Sequence, residues 1–317
     1  MEEVVTYISD TFRKNYDPTR TTSLRNKFAS DMKRRFNELI LVIIKSVVTN
    51  DCFGLKPQIH SLQMTPAQQE AFAFLRSQKK VEEFMAWLKQ QVDKGILEVS
   101  IYQQIGVSAD NAWTNIYISD SYKRGVIRAR YELKKAGYDV PTIEESGGIN
   151  VVMQGIVHAD RLGLLFTRVF NDLKGITAAM DMQISRVLAQ GIADGDGMKL
   201  LARKLVSTIN GTKMGDLGIT DTLGRFIPAS RRAMMLARTE IIRAHHLATI
   251  QEYRNWGVEG IKVLAEWMTA GDDRVCEKCA SLQGRIFTLD EIEPMIPLHP
   301  QCRCLALPWI EELQKYK

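Results

Sequence analysis

The chain has 317 residues, of which 45% are hydrophobic and 25% are charged. This composition excludes overall disorder, and the length leaves room for two or three domains with separate cores. The formal charge of +5 is too small to mark a dedicated nucleic-acid binder. No apolar run approaches the roughly 18 residues of a membrane span, and Met1-Glu2-Glu3 is acidic where a secretion signal would be basic. We therefore expect no membrane segment and synthesis in a cytoplasm.

The first predicted elements are helices. Apolar residues recur from Leu24 to Val47 at spacings of three and four, which is the period of one apolar helix face. A linker from 50 to 60 follows. Thr65 and Pro66 suit the cap and the first position of a second helix, and residues 111 to 135 have the pattern of a third.

The clearest boundary is the segment from Gly137 to Asn150, which contains Pro141 and the pair Gly147-Gly148. Proline and paired glycines are typical of a hinge that few contacts cross. We therefore predict two parts, an N-terminal helical domain or arm over 1–145 and a second domain over 146–317.

The second part continues with helical patterns. We predict a helix over 162–173 that Gly175 ends or bends, another from 176 to 190, and a third over 198–209. After a loop over 211–226, Ser230 is a candidate cap for a helix that Gly257 stops. Residues 261 to 267 alternate with period two and predict a strand. The predicted fold class is mainly α, with helical domains followed by a small C-terminal α+β zinc-stabilised module over 260–310.

Four of the five cysteines lie in the last 42 positions. Cys276-x-x-Cys279 has the spacing of a zinc knuckle, which supplies two thiolates from one tight turn. His299, Cys302 and Cys304 offer three further ligands for two places. Cys276, Cys279 and Cys302 are the first choices, and His299 and Cys304 compete for the fourth position. The pattern predicts one structural zinc ion per chain, with reduced buried cysteines as the alternative.

A catalytic zinc site is less favoured because such a site keeps an open position for water. This tail has a surplus of protein ligands. The His-x-Glu of zinc deaminases and the His-Glu-x-x-His helix of metalloproteases are both missing from the sequence. We predict no catalytic residues and no enzymatic activity.

The stretch from Lys199 to Arg243 has nine basic and three acidic residues. It could face a polyanion such as DNA or an acidic partner, but charge runs of this kind usually form a solvated helix face. For Arg238-Thr239-Glu240 we favour an internal ion pair on a packed helix over an interaction site. The adjacent His245 and His246 point about 100° apart on a helix and are expected in the core or at the surface rather than at a metal.

Several motifs together resemble the phage Mu F-like minor head proteins, also called the phage head morphogenesis family. They are Ala237-Arg238-Thr239-Glu240, Trp267, the segment Asp273 to Cys279, Leu282-Gln283-Gly284, Phe287, and His299-Pro300-Gln301-Cys302-Arg303-Cys304. The similarity covers about 160–308 and is most specific in the cysteine-containing tail. Residues 1 to about 145 carry no such signature.

The resemblance implies a structural minor capsid protein of a tailed bacteriophage. Such a protein acts in head morphogenesis near the portal vertex, and its expected partners are the portal protein and capsid or scaffold proteins. Non-specific contact with packaged DNA and a part in DNA packaging or ejection are further expectations. The expected location is the virion, with host cytoplasm during assembly. The alternative is a zinc-stabilised nucleic-acid-binding protein or nuclease.

Overall fold

The computed structural model describes residues 17–55, 66–98, 112–211, 225–257 and 263–310. Most of these residues are helical, and a three-stranded sheet lies near the C-terminus, so the predicted mainly α class with a small C-terminal α+β module is confirmed. None of the described helices is both long enough and apolar enough to cross a membrane. The elements are α1 Thr22–Ile44, α2 Pro66–Val92, α3 Asn115–Lys135, α4 Ile149–Met153, α5 Ile156–Ala193, α6 Met198–Asn210, α7 Ala229–Gly257, β1 Val263–Met268, α8 Glu277–Ala280, β2 Ile286–Phe287, α9 Leu289–Ile292 and β3 Leu305–Ile310.

The helices follow the predicted periodicity with two differences. Helix α5 continues through Gly175 to Ala193, so the predicted end at that glycine is wrong; one helical glycine costs only about 1 kcal/mol relative to alanine, and buried residues on both sides of it hold the helix together. Ser230 lies in the first turn of α7 rather than before it. The predicted cap Thr65 and most of the predicted 211–226 loop lie outside the described residues.

The described chain divides into two compact units whose limits fall inside α1, α5 and α7. The first unit takes the residues up to Ala29, those from 112 to Val169 and those from Met235 onward. The second takes the residues from Ser30 to 98 and from Phe170 to Met234. Both units therefore draw on chain from either side of residue 145, and independent folding of 1–145 and 146–317 stays a prediction.

The second unit is an all-helical core. Single π-helical turns, Lys45–Thr49 and Asp93–Leu97, follow α1 and α2 directly. Arg35 donates from Nη1 to the carbonyl of Gly95 at 2.8 Å, which ties α1 to the second of these turns. The fully buried apolar side chains of this unit include Met32, Phe36, Ile43, Leu88, Ile96, Met180, Ile184, Leu188, Leu201, Leu205 and Ile209.

In the first unit α3 approaches α7 closely through small residues. The Ser121 hydroxyl donates to the carbonyl of Ile241 at 2.6 Å. One turn later, a Cβ on Gly125 would lie 2.3 Å from the carbonyl oxygen of His245 and 2.7 Å from the Cβ of Ala248. These contacts therefore join residues on either side of the Gly137–Asn150 segment within this unit.

A buried carboxylate joins three helices of the same unit. The Glu252 side chain on α7 is 0% exposed and accepts hydrogen bonds from Arg130 Nε at 2.8 Å and Trp256 Nε1 at 2.9 Å. His158 Nε2 of α5 lies 2.9 Å from the other carboxylate oxygen. Burial alone would raise the pKa of Glu252, but the hydrogen bonds from His158, Arg130 and Trp256 outweigh it and hold that pKa below its ordinary value.

The sheet has the order β2-β1-β3 with both pairs antiparallel. Along β1, Val263, Ala265 and Trp267 are buried and the residues between them are partly exposed, as the alternating sequence predicted. A short strand, Ile286–Phe287, follows Gly284 and pairs with β1. Gly284 has φ +73° and its N–H donates to the carbonyl of Trp267, so the chain turns back onto β1 at this glycine.

We expect Gly125→Ala to destabilise the protein by about 1–3 kcal/mol, because the added methyl must displace the backbone of α7 or α3. Gly163→Ala is the matched control: Gly163 also lies within a helix, but its added Cβ would meet nothing within 4 Å, so a gain of about 0.5–1 kcal/mol is expected. Urea unfolding measures both. A Gly125→Ala variant as stable as the wild type would contradict the close approach of α3 to α7.

Glu252→Gln should cost about 3–5 kcal/mol near neutral pH, because Arg130 would remain buried without its counter-charge. Since the folded-state pKa of Glu252 lies below its unfolded value, the carboxylate stabilises the fold above about pH 4.5 and loses this effect as the pH falls through the folded pKa. The stability gap between wild type and variant should therefore narrow in acid. Glu83→Gln, which removes one partner of the exposed Lys79–Glu83 pair, is the control and should change little. A difference in stability between wild type and Glu252→Gln that stays constant from pH 7 to pH 3 would contradict the stabilising role of the ionised Glu252 carboxylate.

Candidate metal centre

The five predicted ligands lie together in the first unit. Two groups of mutually close ligand atoms, each within 4.8 Å, are formed by Cys276, Cys279 and His299 and by Cys279, Cys302 and Cys304. Cys279 belongs to both groups. Cys276 is exposed, whereas Cys279, Cys302 and Cys304 are buried. The fifth cysteine, Cys52, lies in the second unit and is half-buried.

The knuckle places its two thiols by local hydrogen bonding. Cys276 precedes the single-turn helix α8, and its Sγ accepts from the backbone N–H of Cys279 at 3.5 Å. This hydrogen bond lowers the pKa of the Cys276 thiol. Because the N–H of residue 279 points back at the sulfur of residue 276, both sulfurs face the same side of the turn.

His299 Nε2 lies 3.3 Å from Cys276 Sγ and 3.2 Å from Cys279 Sγ. Its Nδ1 donates to the carbonyl of Pro300 at 2.9 Å, which orients the ring so that its other nitrogen, Nε2, faces the two sulfurs as a possible ligand. A second hydrogen bond of this kind is the usual way in which proteins orient a metal-binding histidine.

The return segment brings up the other thiols. Cys302 Sγ lies 4.0 Å from Cys279 Sγ. Cys302 and Cys304 are hydrogen-bonded through their side chains, which lowers the pKa of Cys302 to about 5 and raises that of Cys304. Burial raises the pKa of Cys279 to about 12, and the neighbouring Cys302 adds to this shift. The cluster therefore shares its protons rather than ionising as independent thiols.

This donor set fits a tetrahedral zinc ion. Zinc–sulfur bonds of about 2.3 Å in a tetrahedron place neighbouring sulfurs roughly 3.8 Å apart, close to the 4.0 Å between Cys279 and Cys302. Thiolates and imidazole bind zinc well, whereas harder cations such as magnesium and calcium bind carboxylate, carbonyl and water oxygens. Which four of the five bind stays open, since His299 adjoins the knuckle pair and Cys304 adjoins Cys302.

A bidentate ion pair fixes the loops on both sides of the cluster. Arg303, between Cys302 and Cys304, donates from both terminal nitrogens to the two carboxylate oxygens of Asp272 at 2.6 Å each. The Asp272 side chain is only 1% exposed. Hydrogen bonds from Arg303 and then Arg274 outweigh burial and hold the pKa of Asp272 far below its usual range. The segment before the knuckle is thereby fastened to the segment that carries the last two cysteines.

The motif Arg238-Thr239-Glu240 divides into two roles. Glu240 is buried, and its carboxylate oxygens lie 3.0 Å from Arg243 Nε and 3.4 Å from Arg168 Nε. This agrees with the prediction of an internal ion pair on a packed helix. Arg238 and Thr239 instead contact Gln301, within the turn between His299 and Cys302. Sequence reasoning missed these contacts, and it also missed Asp272. The available signal was that Arg238 and Thr239 belong to one quoted family motif and that Asp272 directly precedes another.

His245 and His246 are buried and belong to neither group of candidate ligands, in agreement with the prediction for them. His246 Nε2 lies 3.1 Å from the carbonyl oxygen of Ile292, at the end of α9. Tyr253 donates its hydroxyl hydrogen to the carbonyl of Ala306 at 3.3 Å. Helix α7 thus carries the cysteine module directly.

The model of the family described as phage Mu protein F like protein matches residues 182–307, within the predicted range of 160–308. No curated protein and no solved structure gave a significant match to the chain. The matched region contains the whole cysteine and histidine cluster and the helix α7 on which it packs. The resemblance read from the motifs is confirmed, since the region from 182 to 307 matches the model of the phage Mu protein F-like family.

Proposed function

We propose that this chain is a structural minor head protein of a tailed bacteriophage and that one zinc ion fixes its C-terminal module during head assembly. The observation that carries the proposal is the coincidence of the family match, residues 182–307, with the five clustered ligands at 276–304. The family indicates head morphogenesis and association with the virion. To this we add the proposals that the protein is present in few copies, that it lies at the portal vertex and that it binds a metal ion.

The zinc ion would have a structural role. Cys276 and Cys279 with Cys302 and either His299 or Cys304 would hold it, and the ion would supply a cross-link between the knuckle and the return segment. Three of these sulfurs lie in the hydrophobic core cluster together with Trp267, Tyr253 and Ile292. A site buried in a core and surrounded by surplus protein ligands favours cross-linking over water activation, which supports a non-enzymatic protein.

The alternative, a zinc-stabilised nucleic-acid-binding protein or nuclease, has less support in the described residues. Part of the basic surplus between 199 and 243 is engaged internally. Lys204 pairs with Asp196 at 2.5 Å, Arg243 pairs with Glu240, and Arg238 contacts Gln301. Contact with packaged DNA remains part of the proposal only as a weak, sequence-independent interaction that salt would screen.

The proposed partners are the portal and the capsid or scaffold proteins of the same phage. We propose that the docking surface belongs to the module carried by α7. A surface held by a metal, a bidentate ion pair and a buried helix loses little conformational entropy on binding, which favours it as a docking body.

We expect about one zinc per chain in protein purified without chelator, because the described residues supply a single cluster of this kind. Cys279→Ser should lose the metal and unfold the module, since binding energy in a small metal module is largely folding energy. Cys52→Ser is the matched control and should keep the metal. Elemental analysis and circular dichroism measure the two effects. Less than about 0.3 equivalents of zinc in the wild type would refute the metal centre.

In phage particles we expect the full-length protein at a copy number far below that of the major capsid protein, with chemical cross-links to the portal. Particles grown with Cys279→Ser should contain less of it, whereas Cys52→Ser should be incorporated as the wild type is. Quantitative mass spectrometry of purified virions measures both. Absence from wild-type particles would overturn the proposed function, and cross-links to capsid proteins alone would move the docking site away from the portal.

A further inference from the structure

Gln301 occupies an unusual position in the candidate metal centre. It lies between His299 and Cys302, and its φ of +64° is in the left-handed region. For a residue other than glycine this conformation costs roughly 1–2 kcal/mol and persists only where the surroundings hold it. The Cys302 N–H donates to the His299 carbonyl at 3.1 Å, so the conformation of Gln301 sets the distance between the two neighbouring ligands.

Two consecutive residues of α7 hold this turn. The Gln301 backbone N–H donates to the hydroxyl oxygen of Thr239 at 3.0 Å. Arg238 donates from Nη1 to the Gln301 side-chain oxygen at 3.2 Å. The helix therefore contacts both the backbone and the side chain of the one residue in the turn whose conformation is strained.

The Thr239 hydroxyl is itself fixed. It donates its hydrogen to the carbonyl of Met235 at 2.7 Å, one turn earlier in α7, so its lone pairs point away from the helix axis toward the turn. A threonine hydroxyl has one donor and two acceptor positions. Donation to the helix leaves acceptance from Gln301 as its contribution to the metal-binding turn.

We propose that Thr239, assisted by Arg238, is a positioning residue for the metal centre. It holds the His299–Cys302 turn in the ligand-presenting conformation, so that less ordering is needed when the ion binds. The inference rests on the proposed zinc site, whose ligands it does not alter. Residues that orient metal ligands from outside the coordination shell typically change affinity by about 10- to 100-fold when they are removed.

The test uses the full-length zinc-loaded protein and measures zinc affinity by competition with a chromogenic chelator. Thr239→Val keeps the shape of the side chain and removes the acceptor, so affinity should fall about 10- to 100-fold. Thr239→Ser keeps the hydroxyl and should restore nearly all of it. Thr167→Val is the matched control, because Thr167 makes the same hydrogen bond to its own helix, at the carbonyl of Gly163, and lies exposed on α5 away from the cluster.

Unfolding of the metal-free variants separates positioning from general stability. A purely structural threonine would lower the stability of the zinc-free and zinc-loaded protein equally and leave the affinity unchanged, which would overturn the inference. If Thr239→Val does not fold, Arg238→Met tests the same turn and should release zinc faster than the wild type. An unchanged rate of zinc release would also overturn the inference that α7 positions this turn. A wild type that binds no zinc would instead refute the metal centre of the proposed function.

Discussion

The second half of helix α7 is largely buried, and the first unit depends on this burial. His245, His246, Thr249, Glu252 and Tyr253 are each at most 1% exposed and lie on one broad face of the helix, whereas Arg243, Leu247 and Arg254 on the opposite face are partly exposed. An unpaired buried polar group costs about 1–3 kcal/mol, so the partners that neighbouring elements offer to Glu252, His246 and Tyr253 contribute to the stability of this unit. Arg130 and His158 meet Glu252 on one side, while carbonyls of the cysteine module meet His246 and Tyr253 on the other. Both neighbours are thereby fixed to the same helix.

The elements that the sequence predicted well are those with a strong local signal. The three-and-four spacing from Leu24 to Val47 and the alternation in β1 depend only on which face is buried. Strand β3 was missed because Leu305–Ile310 is apolar throughout and contains Pro308, which argues against a central strand. The sheet order explains why the proline is tolerated: among the described strands β3 pairs with β1 alone and forms an edge.

The same distinction applies to the metal centre. The candidate ligands were identifiable because zinc imposes short spacings on its ligands, such as those of Cys276-x-x-Cys279 and Cys302-x-Cys304. Their supports obey no spacing rule. Asp272 and Arg303 are 31 residues apart and Thr239 and Gln301 are 62 apart, so only the tertiary fold brings them together. Reading Arg238-Thr239-Glu240 as a single ion pair was correct for Glu240 and incomplete for the other two residues.

The cysteines contribute to the core as well as to the candidate site. Cys279, Cys302 and Cys304 are packed in one hydrophobic cluster with Leu133 of α3 and Ile242 of α7. Without a cation, this core contains close thiols that cannot all ionise; with a divalent cation, their charges are balanced where they are buried. Binding of a metal ion at this cluster would therefore be coupled to core packing, and the strength of that coupling would depend on how firmly α7 holds the return segment. In a protein that joins a large assembly, this coupling would keep the α7 surface and the module surface in one fixed relation, which a partner that contacts both can recognise.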